Sequence, residues 1–355
     1  MINVKLAFRL LAKTPFVSAV AIASLALGIG ANAAIFSVFD QLLLRPLPVP
    51  HPGQLVNLSA PGPNPGSQSC GMAGDCTDVF SYPMFRDLQR EQKVFTGIAA
   101  HVGFGANLAA RNHTLSSEGL LVSGSYFAVL QLRPALGRLI GPGDDRAPGE
   151  SRVAVLSYDY WASTFGSDPG VLNQTIVVNG QVMTIIGVAP RGFTGTTIGV
   201  RPQVFVPITM RGLVIPGWEG FQNRRSYWAY LFARLKPGVT PEQAAASINV
   251  PYGALLANVE KPLQQGMSDK TMEKFLAKRV ELKPGARGQS EISQQAKTPL
   301  TLPMAVTIFV LLITCANIAN LLLARGAARA GEMAVRLSIG GSRAQLVGQL
   351  LVESC

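Results

Sequence analysis

The chain has 355 residues, of which 48% are hydrophobic, and a formal net charge of +11. Seven of its 31 Lys and Arg residues flank two long apolar runs that contain no charge, so part of the basic balance reflects membrane topology. Among the remaining basic residues, Lys274 and Lys278 share a helix face but Arg279 does not, which favours a solvated helix over a nucleic-acid patch. These features exclude a nucleic acid as the expected partner and indicate an integral membrane protein.

The amino-terminal 40 residues carry the pattern of a membrane anchor. Residues 1–15 predict a cytoplasmic amphipathic helix, with Lys5, Arg9 and Lys13 among apolar positions. Residues 16–40 follow as an apolar helix of about 35 Å, enough for a hydrocarbon core of about 30 Å. The Ala-Asn-Ala sequence at 31–33 resembles a signal-peptide cleavage site. The apolar run continues past it, however, so an uncleaved transmembrane helix is favoured.

A second apolar run predicts a transmembrane helix over 299–324. Basic residues follow it at Arg325, Arg329, Arg336 and Arg343. The basic ends of both helices are therefore expected in the cytoplasm, and residues 41–298 outside. Residues 325–343 then form a cytoplasmic region with a short helix, and 344–355 begin a third crossing, inside which we expect the sequence to be truncated.

The outer segment begins as an extended strap, because four prolines within seven residues from Pro46 to Pro52 cannot continue a helix. Residues 60–78 and 211–226 are predicted as loops. Predicted helices lie at 81–93, 125–130, 158–165 and 240–257. In the last, Thr240 and Gln243 form a capping box and Pro241 takes the first position. Predicted strands lie at 56–58, 94–108, 118–122, 153–156, 175–178, 182–188, 203–207, 227–235 and 280–282. Asn179-Gly180 predicts a two-residue hairpin turn. Together these elements predict an α+β domain with two subdomains.

Two cysteines on the predicted oxidising side bracket a glycine-rich loop. Cys70 and Cys76 are separated by Gly-Met-Ala-Gly-Asp. A disulfide would stabilise such a loop by about 2–3 kcal/mol. Two free thiols in a mobile loop are the alternative, and the spacing alone leaves both open.

Small and amide residues recur at helical spacing in both apolar runs. They are Ser24, Gly28 and Asn32 in the first, and Ala316, Asn317, Asn320 and Ala324 in the second. Small residues allow close packing of membrane helices, and buried amides avoid lipid. These positions are therefore candidate helix contacts. The glycines of the first run also match a dinucleotide fingerprint, which lacks its strand and helix context here.

No catalytic, cofactor-binding or metal-ligating residues can be named from the sequence. A phosphate-binding loop and a nucleophile elbow are absent, and the three histidines are scattered. The pair Asp144-Asp145 lies in a Gly/Pro loop and is better explained by turn chemistry than by acid/base catalysis. The chain is therefore not expected to be an enzyme.

Four stretches resemble the MacB/FtsX-type ABC permease family, and more closely its duplicated branch, the acidobacterial duplicated orphan permeases. The most specific are LLITCANIANLLLARGAARAGEMAVRLSIGGSRAQLVGQLLVES at 311–354 and LALGIGANAAIFSVFDQLLLRPLPVPHPGQLV at 25–56. The others are VSGSYFAVLQLRPALGRL at 122–139 and RVAVLSYDYWASTFGSDPGVLNQTIVVNGQVMTIIGVAPRGFTGT at 152–196. They spread over most of the chain.

The resemblance implies four crossings per unit and an outer domain between the first two. That domain would have a porter-like part, about 53–122 and 227–290, and a sabre-like part, about 123–226. A coupling helix after the second crossing would bind a separate ABC ATPase, which uses the ATP, so no cofactor is expected here. By resemblance the coupling residues are Glu332, Met333, Arg336 and Leu337.

The implied function is that of a permease subunit in the bacterial inner membrane, transmitting ATPase-driven motion to the outer domain. The expected partners are the ATPase, a second copy or second permease unit, and periplasmic or outer-membrane components. The duplicated branch leads us to expect a second unit beyond Cys355. The rival hypothesis is a membrane-anchored sensor or scaffold without ATP coupling, and an anchored hydrolase is a weaker third.

Overall fold

The computed structural model describes residues 45–290 apart from 112, 216, 218 and 219, and parts of 19–40 and 305–338. Two compact units are distinguished, Leu42–Gln295 and a second one that combines Met1–Gln41 with Ala296–Cys355. The residues described in the second unit are helical, including the run 305–316. No helix among the described residues has both the length and the apolar character needed to cross a membrane. Most positions of the predicted crossings, the amphipathic helix and the cytoplasmic region lie outside the described residues.

We call the unit Leu42–Gln295 the outer unit, after its predicted position. Within the described residues, twelve of its strands form one sheet. They are β1 Leu55–Ser59, β2 Ser67–Gln68, β3 Val79–Ser81, β4 Phe95–Ala110, β5 His113–Val122, β6 Leu136–Gly137, β7 Val153–Leu156, β8 Thr175–Val178, β9 Gln181–Val188, β10 Val204–Pro207, β11 Ser226–Leu235 and β12 Glu281–Pro284. The order is β12-β1-β11-β4-β5-β10-β7-β9-β6, with β2 and β3 on β11 and β8 bridging β4 and β9. The predicted α+β class is confirmed. The ranges predicted as porter-like and sabre-like share this sheet, and the boundary between them stays a prediction.

Six α-helices are described in this unit. They are α1 Tyr82–Glu91, α2 Tyr126–Leu130, α3 Tyr158–Phe165, α4 Arg211–Val214, α5 Pro241–Leu255 and α6 Asp269–Leu276. Of these, α1, α3, α5 and α6 begin at a Ser or Thr whose side chain caps the helix. Ser81 accepts from the Met84 amide at the start of α1, and Thr240 and Gln243 form the predicted capping box of α5. The predicted hairpin is also confirmed, because Asn179 and Gly180 have φ of 48° and 79° between β8 and β9.

Four short elements correct the sequence prediction. The range 211–226 was predicted as loop, but 211–214 form α4. That helix depends on tertiary packing, because the Arg211 guanidinium lies 4.4 Å from the centre of the Trp228 ring and Val214 is buried in the core. The short strands β2, β3 and β6 were likewise missed, and each pairs with a strand that is distant in the sequence.

The sheet carries apolar side chains on both faces. A large core is centred on Trp228, Leu231 and Phe85, and a smaller aromatic core on Tyr126 and Phe232. The ten residues of β11 are all buried. This strand pairs with four other strands, β1, β4, β2 and β3.

Candidate functional site

Near each end of the outer unit a segment outside the strands contacts the sheet, and we call these two segments straps. The N-terminal strap is residues 45–54, and the C-terminal strap is residues 285–290. The Leu47 amide donates to the Ala286 carbonyl at 2.8 Å, and the Gly285 amide donates to the Leu55 carbonyl at 2.8 Å. The two straps therefore lie side by side. We call the two straps, together with the side chains of Arg234, Gln289 and His101 that hold them, the root.

The N-terminal strap is held by a buried arginine on β11. Arg234 donates to the His51 carbonyl at 3.0 Å and to Gln54 Oε1 at 3.2 Å. It also donates to the carbonyls of Val129 and Leu130, at 2.6 and 3.4 Å. These last two carbonyls end α2 and have no partner within that helix, so the guanidinium satisfies them. Burial lowers the pKa of Arg234.

The C-terminal strap is held by an uncharged side chain. Gln289 donates from Nε2 to the Leu231 carbonyl of β11 at 3.1 Å, and its Oε1 contacts His101 Nε2 of β4 at 2.5 Å. Its backbone donates to the Thr196 carbonyl at 2.8 Å and accepts from the Ile198 amide at 3.0 Å. One residue thus joins two strands of the sheet to the 196–198 loop.

His101 is neutral in this arrangement. Its side chain is fully buried, and burial lowers its pKa to about 4. An amide oxygen only accepts hydrogen bonds, so the contact with Gln289 requires the proton on Nε2. Nδ1 has no hydrogen-bond partner among the described residues. Protonation there would place an uncompensated charge in the root.

The approach of the C-terminal strap to the sheet requires a glycine. Gly288 has φ of +85°, and a Cβ at this position would lie 2.3 Å from the Thr196 carbonyl oxygen. Asn57 of β1 donates to the Gly288 carbonyl at 2.8 Å. The strap is therefore fixed by shape as well as by hydrogen bonds.

The two predicted disulfide cysteines lie in a loop above the same strand. The sulfurs of Cys70 and Cys76 are joined, with the Cα atoms 5.2 Å apart. The Tyr230 hydroxyl of β11 accepts from the Gly71 amide at 2.6 Å and donates to the Gly74 carbonyl at 2.8 Å. The loop is thus attached to β11 a few residues from the root.

Few of the other predicted site residues are described. Asn32 donates from Nδ2 to the Thr307 carbonyl at 3.1 Å, a contact between the two apolar runs. Ala316 and Asn320 are helical and exposed, and their packing role stays a prediction. The residues outside the described part of the chain are Ser24, Gly28, Asn317, Ala324, Glu332, Met333, Arg336 and Leu337.

Sequence reasoning missed the root. A lone arginine within the otherwise uncharged strand 226–235 was an available signal, because a buried guanidinium must be hydrogen-bonded. Gln289 lies in a polar stretch and gives no comparable signal.

An α+β domain whose two chain ends meet on one strand is typical of a module inserted between two segments of a longer chain. The chain belongs to the MacB-like periplasmic core domain family, whose model matches residues 18–250. It is thereby of the MacB/FtsX permease type. No curated protein sequence matches it significantly.

Solved structures with similarity to the chain include the periplasmic region of MacB from Actinobacillus actinomycetemcomitans, at 14% identity and a TM-score of 0.45, covering 69% of this chain and 92% of that one. A permease-protein domain from Porphyromonas gingivalis is 19% identical with a TM-score of 0.42, covering 70% and 98%. The extracellular domain of the ABC-type transporter YknZ from Gram-positive bacteria is 15% identical with a TM-score of 0.39, covering 56% and 95%. The family assignment depends on the family match alone.

Proposed function

We propose that the chain is a permease subunit of an ABC-type efflux or envelope-remodelling system in the bacterial inner membrane. In this proposal a separate ATPase hydrolyses ATP and displaces the cytoplasmic region 325–343. The two apolar helices transmit the displacement to the straps, and the root passes it to the outer unit. The single observation that carries the proposal is that both straps are anchored on β11.

The root suits this role because its two central residues, Arg234 and Gln289, are buried and each makes several hydrogen bonds. The four hydrogen bonds of Arg234 and the four of Gln289 join the straps to β11, β4, α2 and the 196–198 loop. Closely packed elements move as units rather than deforming gradually. A shift of either strap would therefore reach β11 and its neighbours.

The ATPase contact is tested by co-expressing the full chain with a MacB-type ATPase and measuring co-purification. We expect Glu332→Ala combined with Arg336→Ala to weaken association about tenfold, through loss of charged interface contacts. Lys13→Ala is the control, a cytoplasmic cation outside the predicted coupling residues. Association that is unchanged in the double variant contradicts the coupling role.

Transmission through the root is tested separately. Gln289→Ala should leave ATPase association unchanged, because it lies outside the cytoplasmic region. It should reduce the nucleotide-dependent change in hydrogen exchange of the outer unit, because only the N-terminal strap then stays attached to β11 through Arg234. A nucleotide-dependent change of undiminished size in this variant contradicts the role of the C-terminal strap.

The same root could carry a signal inward, as the sensor hypothesis requires. The structural feature that favours this second candidate is a pocket of about 420 Å³ beside the disulfide loop. A sensor would show ligand-dependent exchange at the straps without an ATPase, whereas a permease requires the ATPase. A second permease unit or second copy, and periplasmic or outer-membrane components, remain proposed partners.

A further inference from the structure

Strand β4 has an open edge in the middle of the sheet. Its pairing with β11 ends at His101 opposite Tyr230, and its pairing with β8 begins only at Leu108 opposite Val178. Within the described part of the chain, no strand pairs with this edge between 102 and 107. We call this interval the window.

The backbone groups of Gly103 point into the window. In an antiparallel strand, the N–H and C=O of successive residues alternate between the two edges. The Ala100 carbonyl accepts from the Ser123 amide on the β5 side. On the opposite side, Asn179 closes the far end of the window, where its side chain donates to the Gly105 carbonyl at 2.9 Å and accepts from the Asn107 amide at 2.7 Å. Gly103 has the same parity as these two residues, so its donor and acceptor face the window.

The window opens into the pocket of about 420 Å³. This volume is within the range of small-ligand sites, about 300–1,000 Å³. The walls are mainly apolar and include Met72, Val102, Phe104, Val200 and Ile215. The disulfide loop covers one side, and Met72 on that loop is 43% exposed. Methionine is common on binding surfaces that adapt to different partners.

Two glycines leave space for a ligand. A Cβ built at Gly103 or at Gly105 meets no atom within 4 Å, and both residues line the pocket. Glycine inside a strand often marks a place where a ligand or another backbone approaches closely. Here the missing side chains create room over the strand, next to its unpaired edge.

The charges of the wall favour a neutral ligand. Glu118 and Arg211 both line the pocket, so the wall carries one acidic and one basic group. An anionic fatty acid would meet the carboxylate as well as the guanidinium, whereas a peptide backbone has no net charge. A peptide also supplies the donor and acceptor that an open strand edge requires.

We infer that the window binds a short extended peptide segment with apolar side chains. Its backbone pairs with Gly103, and its side chains occupy the space above Gly103 and Gly105 and contact Met72. This activity is independent of ATPase coupling and adds a binding site to the outer unit.

The test uses the full chain in lipid nanodiscs, which keeps free detergent out of the pocket, with ¹³C-methyl-labelled methionine. The probe is the capped tripeptide acetyl-Val-Leu-Val-amide. We expect a saturable shift of the Met72 methyl signal, identified by its loss in Met72→Leu, and no shift at the buried Met183 of β9. The absence of a saturable Met72 shift overturns the proposal.

The most informative variant adds a side chain that fills the pocket. Gly103→Val places a side chain where no atom interferes and should weaken peptide binding about tenfold. Gly105→Val is the second variant, in case the first does not fold. Gly141→Val is the matched control, because Gly141 is extended, with φ of −127°, has equal free space, and does not line the pocket. Equal affinity in the pocket variants and the control contradicts the site.

The nature of the ligand is tested with two further probes. A tripeptide N-methylated at leucine lacks the central donor and should bind about tenfold more weakly. Decanoate should not compete. Competition by decanoate together with equal binding of the N-methyl peptide identifies an acyl-chain site and overturns the peptide assignment.

Discussion

The two straps of the root are attached to the sheet by different chemical groups. The N-terminal strap is held by a charged group, the Arg234 guanidinium, which reaches two carbonyls of α2 as well as the strap. The C-terminal strap is held by the neutral amide of Gln289, a neutral histidine and a close backbone approach at Gly288. The difference indicates which perturbation should release each strap.

We call the side chains that hold each strap its clamp. The charged clamp of the N-terminal strap, Arg234, is strong and insensitive to pH, because arginine stays protonated and each bond to a charged donor contributes about 1.5–3 kcal/mol. A neutral clamp can be weakened by protonation or by shape. A change of pH or of side-chain shape can therefore weaken the attachment of the C-terminal strap, while the attachment of the N-terminal strap stays unchanged.

The largest effect is expected from Arg234→Ala. It removes the donor of the His51 carbonyl, of Gln54 Oε1 and of the buried Val129 carbonyl, so the N-terminal strap should lose about 4 kcal/mol of protection. The measurement is hydrogen exchange of peptides covering 45–54, compared with those covering 285–290. Arg133→Ala, an exposed arginine, is the control. Equal loosening of both straps would show that the two clamps are not separate.

The sequence was sufficient to predict those elements whose geometry depends only on neighbouring residues. The turn at Asn179-Gly180 and the capping box at Thr240 need only neighbouring residues, and both were predicted. The contacts of the root were not predictable in this way. His101 and Gln289 are 188 residues apart in the chain, and Arg234 and His51 are 183 apart. Nothing in a periodic pattern specifies which distant carbonyl a polar side chain will meet.

The same reason explains α4 and the short strands. Arg211–Val214 has no cap or apolar periodicity of its own, and it becomes helical because Arg211 packs on Trp228 and Val214 enters the core. The open edge of β4 is equally a product of topology, since the strand is long and changes partner along its length. Sequence alone identified the strand but not the window.

An intermediate effect is expected from Gly288→Ala. The new Cβ would lie 2.3 Å from the Thr196 carbonyl oxygen, so the C-terminal strap must move. Gly238→Ala is the matched control, with φ of +80° against +85° and no atom within 4 Å. The control should lose about 1 kcal/mol from backbone strain alone, and Gly288→Ala about 3 kcal/mol. Exchange of the 285–290 peptide measures the difference, and equal losses would show that close approach does not hold this strap.

The smallest effect concerns pH and separates the two clamps most cleanly. Folding lowers the pKa of His101 from its ordinary 6.5 to about 4, so between these values the unfolded chain binds more protons than the folded one. Stability from this group is complete above pH 6.5 and falls as the pH drops toward 4, by about 2 kcal/mol at pH 5. Asp145, whose pKa burial raises to about 6, acts in the opposite sense, so the informative quantity is the difference between wild type and His101→Gln.

The C-terminal strap should exchange faster at pH 5 than at pH 7 in wild type, after correction for intrinsic exchange, while the variant and the N-terminal strap change little. A wild-type strap that is equally protected at both pH values would show that His101 does not control it.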